Sequence, residues 1–148
     1  MKQLAYMSLG VDITHDMILD ILKKSRENNI KKDVTGILLY HSGFFLQLLE
    51  GDPKILEELI LLIKRDKRHR QFITIYNEKA PSEKRLCRDW SMAYANLEDK
   101  AFAGLDLDLA NRFLFWQANA KNQQFLLKRE EVTTLFSTLI GRMKTASS

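Results

Sequence analysis

The chain has 148 residues, of which 23 are lysine or arginine, 19 are aspartate or glutamate and one is cysteine, and its formal net charge is +4. This length predicts one domain with a short appendage, and the single Cys87 excludes an intrachain disulfide and favours a reducing cytoplasm. No apolar run is long enough to span a bilayer, and the N-terminus lacks the pattern of a signal peptide. Basic clusters such as Lys64–Arg70 contain acidic residues and no aromatic ones, so direct nucleic-acid binding is not expected.

The first predicted elements are a strand and a helix. Alternation over Gln3–Leu9 predicts a strand that presents Tyr6 and Ser8 on one face. Thr14 is a suitable N-cap for a helix that runs to about Asn28. One stripe of this helix, with its immediate neighbours, begins apolar and ends polar; it comprises Ile18, Ile21, Leu22, Ser25, Asn28 and Asn29.

The stretch Val34–Glu50 predicts a β-hairpin, because two apolar runs flank a short turn at His41-Ser42-Gly43. Gln47 interrupts the second run. A buried carboxamide without partners costs about 1–3 kcal/mol, so a polar group has to meet Gln47 in the interior. Gln47 is therefore either a structural glutamine satisfied by backbone or water, or part of a binding site.

The next elements are a helix and two strands. Asp52 as N-cap and Pro53 at the first helical position predict a helix that runs to about Lys64. Strands are predicted over Gln71–Ala80 and Leu86–Asn96, and alternation in the second would place Trp90, Met92 and Tyr94 on one face.

The resulting order β-α-β-β-α-β-β predicts an α+β fold, a ferredoxin-like sandwich over residues 1–96 with both helices on one face of the sheet. Residues 97–148 are predicted to form a C-terminal helical extension. Its helices run from Asp106 or Asp108 to about Ala120 and from Glu130 to about Met143. These helices are expected to cover the open sheet face or to contact a second subunit.

The usual enzymatic arrangements are not visible. His15, His41 and His69 are scattered without metal-ligand spacing, and there is no glycine-rich phosphate loop or nucleophile elbow. Glu50 and Asp66 are single carboxylates, which we interpret as structural or solvated. The sequence therefore predicts neither catalytic residues nor a metal site.

Polar residues instead converge on the helix-covered face of the predicted sheet; they are Tyr6, Ser25, Asn28, Asn29, Gln47, Trp90, Ser91 and Met92. Between the two helices, Ile21 and Ile63 are either plain core or the walls of an apolar slot. A flat heteroaromatic ring would fit this slot with its polar edge toward Asn29 and Gln47. Their amides offer both a donor and an acceptor, which suits the pyrimidine edge of a flavin.

Together these motifs resemble a BLUF domain, the blue-light sensor that uses FAD. The resemblance covers about residues 2–96 and rests on Tyr6, Asn28-Asn29, Val34–Tyr40 (VTGILLY), Phe45–Gly51 (FLQLLEG), Asp66–His69 (DKRH) and Trp90–Met92 (WSM). The two C-terminal helices resemble those of short, single-domain BLUF proteins, which carry no enzymatic output domain.

The resemblance implies a role for each matching residue. Tyr6 would donate an electron and a proton, Gln47 would switch its hydrogen bonds, and Trp90 and Met92 would be switch residues on the last strand. The implied cofactor-binding residues are Ile21, Ser25, Asn28, Asn29, Gln47, Ile63, Asp66 and Arg68. Leu62 stands where some relatives have a basic residue, which leaves open whether FMN or riboflavin replaces FAD.

The implied function is that of a cytoplasmic photoreceptor that is not an enzyme. It would signal by a light-driven hydrogen-bond rearrangement to its own oligomer or to a protein partner of the response- or transcription-regulator type. A homo-oligomer is expected, and a membrane is not. Two alternatives stay open: a flavin-free ferredoxin-like interaction domain, and a small acylphosphatase-like enzyme, whose anion-binding loop is not found after the first strand.

Overall fold

The computed structural model describes residues 1–119 and 126–147, with the side chains of 106–110, 113 and 144–147 left aside. Its strands are β1 (Lys2–Gly10), β2 (Thr35–His41), β3 (Phe44–Gly51), β4 (His69–Lys79) and β5 (Ala93–Asn96). Its α-helices are α1 (His15–Lys31), α2 (Pro53–Arg65), α3 (Asp106–Asn119) and α4 (Arg129–Ser147). The predicted end of the first C-terminal helix at Ala120 lies outside the described residues.

The strands form one sheet in the order β4-β1-β3-β2-β5. Neighbouring strands are antiparallel except for β2 and β5, which are parallel. The predicted α+β, ferredoxin-like sandwich with two added C-terminal helices is confirmed. Because β1 and β2 both pair with β3, Gln47 lies in the middle of the sheet, opposite Tyr6 on one side and Leu38 on the other.

Local sequence signals account for the element boundaries. The Thr14 side chain accepts a hydrogen bond from the amide of Met17 at the start of α1, as the predicted N-cap requires. Asp52 caps α2 in the same way, with Pro53 at its first turn. The hairpin turn uses Ser42 and Gly43 with φ of 46° and 89°, the left-handed pair that matches the twist of the flanking strands.

Side chains from the two faces of the sheet belong to two separate cores. On the face toward α1 and α2, buried Leu4, Tyr6 and Leu38 pack with helix residues such as Ile18 and Leu56. The opposite face packs against the C-terminal helices through Ala5, Met7, Ile37, Leu46, Leu48, Trp116, Val132, Phe136 and Leu139. The alternation predicted for β1 is thus observed, and α3 and α4 cover the sheet face that the sandwich leaves open.

The last predicted strand is wrong over most of its length, because only Ala93–Asn96 pairs with β2. The preceding amides make other bonds: those of Leu86 and Cys87 donate to the carboxylate of Glu50, at 2.7 and 2.8 Å. The amide of Trp90 donates to the carbonyl of Cys87 and closes a turn. A carboxylate on β3, the strand beyond β2, thus accepts from the amides that a longer β5 would have used in its ladder.

Across the described part of the chain, none of the helices combines the length and the apolar character needed to cross a bilayer.

Candidate functional site

A cleft opens between α1 and α2, and its floor is formed by β1 and β3. Every predicted site residue except Trp90 lines it: Tyr6, Ile21, Ser25, Asn28, Asn29, Gln47, Ile63, Asp66, Arg68 and Met92. Ile21 comes from α1 and Ile63 from α2, so the two side chains border the cleft from opposite helices. Strand β3 in the middle of the sheet and the two helices above it therefore bring residues from distant parts of the chain to one place.

A chain of hydrogen bonds runs along the floor of this cleft. The hydroxyl of Tyr6 donates to Oε1 of Gln47, and Nε2 of Gln47 donates to Sδ of Met92 at 3.4 Å. All three side chains are buried. The polar groups that the sequence required near Gln47 are thus a phenol and a thioether, one on each side of its amide.

The surroundings of Tyr6 hold its phenol in the neutral form. Burial raises the pKa of Tyr6 far above its usual value of 10, and the negative charge of Asp66 raises this pKa further. The phenol ring stacks on Phe72 with centroids 4.2 Å apart. Tyr6 is therefore a fixed, protonated hydrogen-bond donor at any physiological pH.

The two predicted asparagines differ in their surroundings. Asn29 is buried, and its Nδ2 donates to the carbonyl of Ser91 at 2.7 Å. Asn28 is exposed and lines the opening of the cleft, with the half-buried Ser25 one turn earlier on α1. Asn29 thereby ties α1 to the residue before Met92, and Asn28 keeps its amide available at the edge.

Charged side chains surround the opening. Arg68 donates to both oxygens of Asp66 and, at 2.9 Å, to Asp20 on α1, which also pairs with Lys24 at 3.1 Å. The hydrogen bonds from Arg68 hold the pKa of Asp66 below its usual range. An anion that reaches Arg68 thus competes with two carboxylates. In the described ranges, His, Cys, Asp and Glu side chains form no group of three placed to hold a metal ion.

Trp90 lies away from the cleft. Its side chain packs against the core beneath α3 and α4, whereas Met92 belongs to the core on the cleft side. The predicted alternation put both on one face, and this is not observed because the segment before Ala93 is not a strand.

Sequence reasoning missed Ser8 as a lining residue. Its hydroxyl is buried at the cleft and has no hydrogen-bond partner among the described residues. The signal was available, since Ser8 follows Tyr6 by two residues on the same face of β1. An unpaired buried hydroxyl, amides at one end and isoleucines on two sides fit a flat ligand with polar edges, so the residues present fit a flavin.

Comparison with known proteins agrees with this geometry. The family model described as "BLUF: Sensors of blue-light using FAD" matches residues 1–93. Photoactivated adenylate cyclase subunit beta of Euglena longa is 33% identical over 79 residues, which are 53% of this chain and 9% of that protein. The blue light- and temperature-regulated antirepressor BluF of Escherichia coli (strain K12) is 31% identical over 67 residues, 45% of this chain and 17% of that protein.

Among solved structures, the dark state of the BLUF protein BlrB superposes with a TM-score of 0.68 at 27% identity, covering 82% of this chain and 92% of that one. The two curated relatives are matched over less than a fifth of their own length. The BLUF domain is a light sensor rather than an enzyme, and the family match decides for it over the flavin-free and acylphosphatase-like alternatives. This chain belongs to the BLUF family, the sensors of blue light that use FAD.

Proposed function

We propose that this chain binds FAD in the cleft between α1 and α2 and senses blue light through the hydrogen-bond chain Tyr6–Gln47–Met92. This hydrogen-bond chain is the observation that carries the proposal. It places in series an oxidisable phenol, an amide that can both donate and accept, and a weak thioether acceptor. A structural glutamine would need partners too, but it would not need them on the floor of an open cleft.

The proposed binding residues are Ile21, Ser25, Asn28, Asn29, Gln47, Ile63, Asp66 and Arg68. The isoleucines would flank the ring, and the amides would face its pyrimidine edge. Leu62 is exposed at the cleft and brings no charge, and Arg68 is shared between two carboxylates. Contacts to the ring are common to FAD, FMN and riboflavin, so the cleft would discriminate only weakly among the three, and identifying the extracted flavin tests this.

When bound, FAD supplies the absorption of blue light and an acceptor for one electron. Tyr6 enters the reaction fully protonated because its pKa is raised. Once oxidised, its phenol becomes a strong acid, and the proton passes to Oε1 of Gln47 along the existing hydrogen bond. Tyr6 regains both the electron and the proton after the amide of Gln47 has changed its orientation or tautomer, so that Nε2 no longer donates to Met92. In a buried site such a change of partner is worth about 1 kcal/mol or more.

The segment from Trp90 to Met92 is the proposed route of the signal to the C-terminal helices. Met92 faces the cleft and Trp90 packs under α3 and α4, only two residues away. A displacement of Met92 would therefore change the packing of Trp90 on the opposite face of the sheet. On this proposal residues 1–96 sense light and residues 97–148 respond to it.

The response would reach a homo-oligomer or a protein partner in the cytoplasm. One relative is named an antirepressor, which supports a partner of the transcription-regulator or response-regulator type. Leu114 on α3 is 59% exposed, and Leu126 just before α4 is 51% exposed. Both would contribute apolar contacts to such a partner.

The test is the visible absorption of the purified chain in darkness and after blue light. We expect a flavin spectrum that shifts reversibly to the red. Tyr6→Phe and Gln47→Leu should retain flavin and lose the shift, whereas Tyr76→Phe, a matched control on β4, should keep it. A normal shift in either of the first two variants would refute the mechanism. A colourless protein that does not take up added FAD would refute the function.

A further inference from the structure

Three consecutive carbonyl oxygens at the edge of the cleft are each held by a hydrogen bond. The carbonyl of Trp90 accepts from the amide of Gly36 at 3.1 Å, that of Ser91 from Nδ2 of Asn29 at 2.7 Å, and that of Met92 from Nε of Arg26 at 2.9 Å. Two of these donors are side chains of α1. The position of this segment relative to the cleft is therefore set by α1 as much as by β2, on which Gly36 lies.

Two hydrogen bonds of different kinds hold Met92, one to its side-chain sulphur and one to its backbone carbonyl. Inside the cleft its sulphur accepts from Gln47, and this is the contact that the proposed light reaction breaks. On the outer side its carbonyl accepts from Arg26, an exposed residue that no step of that reaction touches. When the amide of Gln47 turns away, the bond from Arg26 remains.

We propose that Arg26 is a positioning residue for the light switch: it keeps the backbone of Met92 in place while Gln47 changes partner, and so governs how fast the lit state decays. This inference rests on the proposed function. A bond from a guanidinium to a carbonyl is stronger than one between neutral groups. With that bond intact, Met92 stays within reach of the returning amide. Without it, Met92 has to find its position again before Nε2 of Gln47 can donate to it.

Position and chemistry distinguish Arg26 from the other cations on α1. Lys24 pairs with Asp20 at the cleft opening, and Lys23 is exposed one turn before Arg26. The outer groove beside Met92 is lined by Arg26, Asp89, Tyr94 and Met143, so it brings α1 close to α4. Arg26 therefore acts where the segment from Trp90 to Met92 meets the C-terminal helices.

The experiment is the dark recovery of the red-shifted absorption after a blue pulse, measured on the flavin-loaded full chain. We expect Arg26→Gln to slow recovery by about three- to tenfold, within the range for the net contribution of one hydrogen bond at a partly exposed site, with an unchanged red shift and melting temperature. Arg26→Lys, which keeps a cationic donor, should restore part of the rate. Lys23→Gln, the matched loss of an exposed cation on the same helix, should recover like the parent chain.

Recovery of Arg26→Gln at the parent rate, or faster, would overturn the inference, as would an equal slowing in Lys23→Gln. A second measurement is hydrogen exchange at the amide of Gly36, which bonds to the same segment. Exchange should accelerate in Arg26→Gln after illumination, and unchanged exchange would count against the inference. If the parent chain shows no red shift, the proposed function fails, whereas a normal shift with an unaffected Arg26 variant rejects this inference alone.

Discussion

Replacing Glu50 with glutamine tests how the segment before the switch residues is held. Glu50 is fully buried on β3, yet its carboxylate meets donors from three parts of the chain. Oε1 accepts from the amide of Cys87 at 2.8 Å and from Oγ1 of Thr35 at 3.3 Å. Oε2 accepts from Nε2 of Gln3 and from the amide of Leu86, both at 2.7 Å.

The glutamine amide cannot satisfy all of these donors. If its nitrogen takes the place of Oε1, the hydroxyl of Thr35 can turn to accept, but the buried amide of Cys87 loses its acceptor at a cost of about 1–3 kcal/mol. The bonds that remain also become neutral, and each then contributes less. We therefore expect Glu50→Gln to lower the free energy of unfolding by about 2–4 kcal/mol, a large share of the usual 5–15 kcal/mol.

The assay is urea unfolding at pH 7 with the flavin content of both proteins held equal, because a bound ligand adds to apparent stability. Glu98→Gln is the matched control, since Glu98 is a half-exposed carboxylate that accepts from the amide and hydroxyl of Ser42. We expect its effect to stay below about 1 kcal/mol. A Glu50→Gln protein as stable as the parent would refute the reasoning, because the cost of burying the charge would then equal the value of its hydrogen bonds.

Three further predictions concern the buried side chains of Tyr76, Tyr6 and Cys87. The hydroxyl of Tyr76 is buried without a hydrogen-bond partner among the described residues, so Tyr76→Phe should keep or raise the melting temperature, by up to the equivalent of about 1–2 kcal/mol; a fall of several degrees in a thermal melt would contradict this. The raised pKa of Tyr6 keeps its phenol protonated at pH 10, so the reversible red shift should persist there, and its disappearance with an ordinary tyrosine pKa would show that the phenol is accessible to water. Burial also raises the pKa of the Cys87 thiol. Because both groups ionise more readily in the unfolded chain, the free energy of unfolding should be level from neutral pH to about pH 9 and fall above it, which urea titrations across this range can measure.

Most of the fold could be predicted from the sequence because its local signals agree with one another. Alternation in β1, the turn at Ser42-Gly43 and the Asp52 cap each specify one element, and together they leave few arrangements of two helices on one sheet face. The site was predictable for the same reason. Gln47 stands out as the one amide in an apolar strand, and β1 is the strand beside it, so Tyr6 had to lie close.

The part that could not be predicted is the segment before β5. Its pattern of apolar residues suits a strand, but its backbone bonds are set by Glu50, which lies more than 30 residues earlier in the chain and looked like an isolated carboxylate. Whether an amide joins a ladder or a distant carboxylate depends on tertiary contacts, which a periodicity does not contain. Because this segment is not a strand, alternation could not predict on which side of the sheet Trp90 lies.

These contacts restrain the segment from Leu86 to Met92 at both of its ends. Glu50 holds its beginning to the middle of the sheet, while Asn29 and Arg26 hold its end to α1. A segment fixed at both ends cannot take up a lost bond at Met92 by drifting freely, so the change has to appear as a discrete rearrangement between the two anchors. On the proposed mechanism, a small event at Gln47 alters packing on the opposite sheet face for that reason. Weakening the bond from Arg26 or the bonds to Glu50, neither of which lines the cleft, should then change the signal more than it changes flavin binding.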